Sequence, residues 1–293
     1  MIDKLEAFIV LAREGHFGRA AETMGVTQPT LSSAIRALED QLGVQLVFRG
    51  SRFKGLTPEG QRALTWARRI VGDARSLKDD MRSARSGLSG DLRLGVIPTA
   101  LPMVARLTAP LLNRHPGLKV TIRSHTSAEI LTGIETLELD AGLTYLETLP
   151  QGRVVQVPLY AETYRLLCRA DAPVAARAEI AWAEVAALPL CLLTTDMQNR
   201  RIVETHLAEA GVVVAPTVES NSTVALIAHV LTGGWCSVVP ADMAAMVSGD
   251  ARLAAVPIVA PAAAHVVGLI AARHDPQTPM LEALLAQATA VAV

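Results

Sequence analysis

The sequence predicts an α/β chain built from two unlike parts, a winged helix-turn-helix head and a two-lobed α/β body. Three observations carry that expectation. Phe17 to Leu46 reads as two amphipathic helices meeting at a tight turn, and Pro58 to about Ser86 is one helix with no internal proline. From Asp91 onward strands alternate with helices of roughly 10–15 residues, the pattern of βα units.

In the head, Ala20, Ala21 and Met24 form an apolar stripe, and Gly25 sits where a helix C-terminus favours a left-handed residue. Thr27 offers an N-cap oxygen, and Pro29 falls in the first turn, where a missing N–H costs nothing. Leu31, Ile35, Leu38 and Leu42 predict the buried face of the second helix. Its other face carries Gln28, Thr30, Ser32, Ser33 and Arg36. Small side chains let a helix approach base edges, and amide, hydroxyl and guanidinium groups can read them.

Val47 to Thr57 reads as two short strands around Gly50 and Ser51, with Arg49, Arg52 and Lys54 as cations. A basic hairpin beside a helix-turn-helix is a wing that grips phosphates or enters a minor groove. In the long helix, Ala63, Ala67, Ile70, Ala74, Leu77, Met81, Ala84 and Leu88 alternate at spacings of four and three, the a/d pattern of a coiled-coil seam. The bland alternatives are a solvated basic loop and a helix packed inside its own domain.

The run AAETMGVTQPTLSSAIRALEDQLGVQL followed by LTPEGQ resembles the DNA-binding domain of LysR-type transcriptional regulators, over residues 2–60. Chain length and layout resemble the same family throughout. The resemblance implies a linker-helix dimer, a tetramer as the fuller assembly, and an effector domain like a periplasmic binding protein. It implies major-groove contacts from Gln28, Pro29, Thr30, Ser32 and Ser33, and a minor-groove contact from Arg52. Many family members carry arginine where this chain has Ser33, so the family's base preference does not transfer at that step. The expected organisation is head 1–57, linker helix 58–90 and effector domain 91–293, with lobe I at 91–160 and 267–293 and lobe II at 161–266.

Composition agrees with a DNA-binding head on a different kind of body. The 293 residues are 51% apolar and only 19% charged, where about a quarter would be usual. Residues 1–90 hold 14 Lys/Arg against 10 Asp/Glu, and the rest hold 13 against 18, so a basic head joins an acidic body. Asp3 and Glu6 at the N-terminus argue against a signal peptide, and no apolar run is long enough to span a bilayer, so a cytoplasmic protein is expected. The histidines show no ligand spacing, and no metal or cofactor is expected.

Cys168, Cys191 and Cys236 sit in apolar, strand-like surroundings and are expected as buried thiols. The peroxide-sensing branch of the family places its reactive cysteine in the turn that here reads TTDMQN. Redox sensing is therefore not expected.

In the body, strands leave and re-enter the first lobe near Val157–Ala161 and Ala264–Ile270, which predicts parallel-sheet lobes with a cleft between them. Open α/β sheets bind ligands beyond the carboxyl ends of strands. Those ends carry Thr99 and Ala100, Thr126 and Ser127, Thr194, Thr195, Gln198 and Asn199, and Asn221 and Ser222, with Tyr145 as a candidate wall. Helix N-termini attract anions, so the expected effector is a small carboxylate or oxyanion, with Arg200 or Arg201 as possible sources of charge. Ordinary N-capping is the alternative at each position. CLLTTDMQNRR with DAGLTYLE further resembles the LysR branch found with formate dehydrogenase operons, which implies formate or a related small anion.

The expected function is a ligand-responsive regulator with double-stranded DNA, a small anionic effector, a second copy of itself and RNA polymerase as partners. The competing classes are a metabolic enzyme and a solute-binding protein. Against the first, no GxGxxG follows a strand and no GxxxxGK[ST] occurs. Against the second stands the DNA-binding head.

Overall fold

The computed structural model describes residues 1–48, 53–147, 149, 154–259, 264–273 and 277–292, without the side chains of 79, 80 and 82–86. Its contacts divide the chain into two units, Met1–Gly87 and Leu88–Val293.

The first unit consists of α1 (Ile2–Glu14), α2 (Phe17–Thr23), α3 (Gln28–Leu42) and α4 (Pro58–Ser86). The nitrogen Nδ1 of His16 accepts from Gly18 N–H at 3.0 Å and caps α2. Gly25 closes the turn at φ +65°, a conformation costly for any residue with a Cβ. Thr27 then caps α3 through its side-chain oxygen, with Pro29 in the first turn.

Leu31, Ile35 and Leu38 pack with Leu5, Phe8 and Leu11 of α1 and with Ala20 and Ala21 of α2. Leu42 departs from the expected stripe and is 42% exposed, because α3 ends at Gly43. The LTPEG segment explains itself physically. The hydroxyl of Thr57 donates to the Gln45 carbonyl at 2.6 Å and accepts from Gly60 N–H at 2.9 Å, so it caps α4 and ties it to the preceding strand-like segment. A Cβ at Gly60 would lie 2.0 Å from the Leu46 carbonyl oxygen, so only glycine permits that approach.

Of the expected wing, Val47 and Leu56 form an antiparallel bridge, flanked by Thr57 N–H on the Leu46 carbonyl at 3.0 Å and Phe48 N–H on the Gly55 carbonyl at 3.2 Å, while Arg49, Gly50, Ser51 and Arg52 lie outside the described residues. One expectation about this unit needs correction, because the apolar positions of α4 serve two faces rather than one. Leu64, Ala67 and Val71 are buried in the head's own core, with Ala63 packed against it. Trp66, Ile70, Leu77 and Met81 remain exposed on the neighbouring face.

The second unit has two lobes. In chain order its elements are β1 (Ser89–Val96), α5 (Leu101–Arg114), β2 (Gly117–Ser124), α6 (Ser127–Glu135), β3 (Ala141–Tyr145), β4 (Val154–Glu162) and β5 (Tyr164–Arg169). They continue with β6 (Ile180–Ala181), α7 (Trp182–Val185), β7 (Cys191–Leu193), α8 (Gln198–Glu209), β8 (Val218–Ser220), α9 (Thr223–Thr232) and β9 (Ser237–Pro240). The last are α10 (Ala241–Val247), β10 (Leu253–Val259), β11 (His265–Ala272) and α11 (Pro279–Val291).

Lobe I is a five-stranded sheet in the order β2-β1-β3-β11-β4. β1 pairs in parallel with β2 and β3, as strands separated by helices should. β4 and β11 pair antiparallel, since one carries the chain out of the lobe and the other brings it back. Both belong to the lobe I sheet, so lobe I extends to Glu162 and resumes at His265.

Lobe II contains the sheet β6-β10-β5-β9 and the parallel pair β7-β8, joined by a bridge between Leu190 and Cys236. The expected parallel sheet is corrected here, because β5 pairs antiparallel with both β9 and β10. Among the described residues no helix is long and apolar enough to cross a membrane.

Candidate functional site

The head presents α3 with one face in the core and the other bare. Gln28, Pro29, Ser32, Ser33 and Arg36 line a groove of about 490 Å³ on that outer face. Thr30 is exposed, but its hydroxyl shares a 2.9 Å hydrogen bond with Thr27, so it helps to cap the helix as well. The carboxylate of Glu39 accepts from Leu46 N–H at 2.8 Å and Val47 N–H at 3.2 Å, which fixes where the chain leaves α3 for the wing. The Phe17 and Phe53 rings meet edge to face with centroids 6.4 Å apart, tying the far side of the wing to α2. Lys54 is exposed beside Phe53.

In the second unit a cleft of about 370 Å³ opens between the lobes. Lobe I supplies Pro98, Leu101, Ser124, His125, Thr126 and Glu129, and lobe II supplies Asp196, Met197 and Asn221 to Val224. The cleft meets the N-terminal turns of α6 and α9 and the residues just before α8. Thr126 and Glu129 form a capping box, with Glu129 N–H on the Thr126 hydroxyl at 3.2 Å and Thr126 N–H on the Glu129 carboxylate at 2.8 Å. That backbone bond holds the Glu129 carboxyl below its usual range. The Ser222 hydroxyl accepts from Ala225 N–H at 3.5 Å and caps α9. Met197 precedes α8 without any side-chain cap.

Of the expected effector residues, Thr126, Asn221 and Ser222 line the cleft. Thr195 is exposed nearby, and Gln198 accepts from Arg201 at 2.7 Å. Thr99, Ala100 and Ser127 are buried instead. The Thr194 and Ser127 hydroxyl oxygens are enclosed without a hydrogen-bond partner. Tyr145 is not a cleft wall, being only 1% exposed within a polar cluster below the surface.

In that cluster the Tyr145 hydroxyl donates to Glu162 Oε1 at 2.5 Å, and Asn199 Nδ2 donates to the Tyr145 oxygen at 3.1 Å. Thr99 Oγ1 lies 3.4 Å from the same phenol. Burial pushes the Glu162 carboxyl up to about 7, even though bonds from Tyr145 and Asn199 favour its charge. Arg200 is also structural: it is buried and donates to Glu204, Glu219 and the Leu193 carbonyl.

The sequence reading missed His125 and Glu129 in the cleft, and Glu162, His206 and His265 beneath it, while Asp196 belongs to the strand-end run TTDMQN that it did place there. Glu162 carried the one available signal, a carboxylate at the end of an apolar crossing strand. The three cysteines are buried free thiols. Burial raises all of them, Cys191 to about 11 and Cys236 to about 12, so each is a poor thiolate. Among the described residues no group of three or more His, Cys, Asp or Glu could hold a metal ion.

Residues 2–61 match the bacterial regulatory helix-turn-helix protein family of lysR type, and residues 85–292 match the LysR substrate binding domain. The chain belongs to the LysR family. It is a DNA-binding transcription regulator with a helix-turn-helix domain and a two-lobed effector-binding domain, and not an enzyme.

A probable hydrogen peroxide-inducible genes activator from Mycobacterium avium is 30% identical over 270 residues, covering 91% of this chain and 86% of that protein. The Escherichia coli K12 DNA-binding transcriptional dual regulator OxyR is 33% identical over 193 residues, 66% of this chain and 63% of that one. A full-length OxyR variant from Pseudomonas aeruginosa superposes with a TM-score of 0.74 at 28% identity, covering 98% of this chain and 94% of that chain. CbnR complexed with its target DNA has the same fold, with a TM-score of 0.70 at 24% identity and full coverage of both chains.

Proposed function

We propose that this LysR regulator senses a small monoanion, formate or a comparably short carboxylate, in the cleft between its lobes. The observation that carries the reading is the cleft itself, small and bordered by the N-terminal turns of α6 and α9 with the uncapped start of α8. First-turn N–H groups lack partners within their helix and favour a negative ligand. Among the described residues the cleft lining contains Glu129 and Asp196 but no lysine or arginine, which selects against a multiply charged anion. Binding across the cleft would favour one arrangement of the lobes and so shift operator binding.

Residues 1–57 then read DNA in the cytoplasm, residues 58–90 pair two copies, and residues 91–293 sense the effector. Dimers joining into a tetramer and a contact with RNA polymerase fit the same reading. The test is an operator gel shift with sodium formate beside a melting curve of the full chain. A formate-dependent change in both supports the reading, and no change in either with formate, acetate or inorganic oxyanions defeats it.

Hydrogen peroxide is the second reading, favoured by the names of the relatives. The buried cysteines and their raised thiol pKa values oppose it. Peroxide treatment that alters operator binding in wild type, but not with all three cysteines changed to serine, would reverse that judgement.

A further inference from the structure

α8 places Asn199, Val203 and His206 on one face, at helical spacings of four and three, and all three are buried. Asn199 enters the Tyr145–Glu162 cluster of lobe I. Two turns further on, His206 Nε2 lies 2.9 Å from Nε2 of His265, the first residue of β11 in the lobe I sheet. Each ring's other nitrogen faces a carboxylate of its own lobe. His206 Nδ1 is 3.1 Å from Glu209, and His265 Nδ1 is 2.7 Å from Glu147. Val266 N–H donates to the second Glu147 oxygen at 3.0 Å, fixing that carboxylate in place. Burial works against the charge of Glu147, but the bonds from His265 and Val266 outweigh it and hold its carboxyl below the usual range.

Proton counting follows from this geometry. A carboxylate only accepts hydrogen bonds, so each Nδ1 is best satisfied carrying a hydrogen. Two neutral rings of that tautomer would set Nε2 lone pairs against each other across 2.9 Å. A third proton, on either Nε2, turns the clash into an N–H···N bond between one imidazolium and one neutral imidazole. A fourth would set two N–H groups of two cations against each other.

The pair is walled by aromatic rings. Tyr164 of β5 and Trp182 of α7 pack on His206, and Tyr164 and Tyr145 pack on His265. The contact itself is part-buried, with the His206 side chain 11% and the His265 side chain 21% exposed. Among the described residues, the titratable and charged groups around the pair are Glu209 on α8, Glu147 after β3, Glu162 on β4, Tyr145 on β3 and Tyr164 on β5.

We propose that His206 and His265 form a proton-bridged latch between the two lobes, which holds them in this arrangement until one more proton breaks it. The consequence for signalling rests on the reading of the cleft as an effector site. The latch itself does not.

Histidine-selective ¹⁵N NMR of the full chain tests the proton count near neutral pH. The latch requires one imidazolium and one neutral ring with Nδ1–H, and two neutral rings would overturn it. The second measurement is the difference in Tm between wild type and His206→Gln, followed from about pH 8 to 5.5. The glutamine amide can donate its N–H to a neutral His265 and accept through its carbonyl oxygen from a protonated one, so the variant should lack the acid-side weakening expected of wild type. A difference that stays constant with pH would overturn the latch.

Formate binding is then compared at both ends of the range. A wild-type formate response that changes with pH, beside a constant response in His206→Gln, extends the latch to signalling, and identical pH profiles would sever that link. Absence of any formate response in wild type defeats the effector reading alone, because the NMR and Tm measurements need no ligand.

Discussion

Tyr145 and Glu162 share a 2.5 Å hydrogen bond in the interior of the effector unit, where Glu162 is 2% exposed and its second carboxylate oxygen has no hydrogen-bond partner. A carboxyl group thus occupies a site where hydrophobic packing would ordinarily be more stable, at the point where strands of one lobe meet a helix of the other. Such a group binds its proton more tightly in the native state than in the unfolded chain.

The sign of the resulting pH dependence is fixed. With a folded value of about 7 against an ordinary 4.5, the native state holds the extra proton between those limits. Stability contributed by this group is therefore greatest below about pH 4.5 and falls as pH rises toward 7, by up to roughly 3 kcal/mol. Glu162→Gln should flatten that part of the stability–pH curve and be more stable than wild type at pH 8. Urea unfolding at several pH values measures it, and parallel curves for the two proteins would refute the assignment.

Gly60 gives a prediction for the head. Its missing side chain lets α4 start against the Leu46 carbonyl, where an added methyl group would lie 2.0 Å from the oxygen. Gly60→Ala normally favours a helix, yet here it should destabilise the head by roughly 1–3 kcal/mol through overpacking. Denaturation followed on the head decides it. A stabilised variant would mean that the junction gives way at no cost.

Much of this architecture was legible because local chemistry specified it. Gly25, Thr27 and Pro29 each solve a backbone problem at one position, so the helix-turn-helix could be placed closely. Alternating strands and helices marked the βα units of lobe I, and the crossings near Val157–Ala161 and Ala264–Ile270 fell within β4 and β11. Long-range pairing was harder to read. The antiparallel partners of β5 lie about 70 to 90 residues away in sequence, and no local pattern records their direction. Burial of Thr99 and Tyr145 was missed for a related reason. A hydroxyl at a strand end looks alike whether it faces a cleft or a buried carboxylate from another strand. His206 and His265 meet across 59 residues of sequence and had no ligand spacing to announce them.

The recognition face separates base reading from phosphate contact. Gln28 and Ser32 share the outer groove of α3, so Gln28→Ala and Ser32→Ala should cost specific binding more than non-specific binding, by roughly 1–3 kcal/mol for a well-made base contact. Lys54 is exposed, and Lys54→Ala should weaken binding to all sequences and lower the log–log salt slope by about 0.9 if it neutralises one phosphate. Titrations on operator and scrambled DNA at several salt concentrations distinguish the roles. Equal losses on both DNAs for Gln28→Ala would reduce that residue to a positioning contact.

The exposed face of α4 supports a prediction that fold stability cannot mimic. Trp66, Ile70, Leu77 and Met81 cluster on one side of the helix, while Leu64, Ala67 and Val71 are buried in the head on the other. A stripe that the head leaves uncovered suits the pairing of two copies, since single exposed apolar residues are common but an aligned series along a helix is not. Ile70→Asp or Leu77→Asp would have to desolvate a carboxylate on pairing, yet neither disturbs the head's core. Both should therefore keep the wild-type helical content and melting behaviour of the head while sedimenting as monomers. Operator affinity should fall with the dimer, because one head alone forgoes the second half-site. Ala67→Asp serves as the contrast, since it charges the core and should unfold the head. An Ile70→Asp variant that remains dimeric and binds its operator as wild type does would rule out this face as the dimer seam.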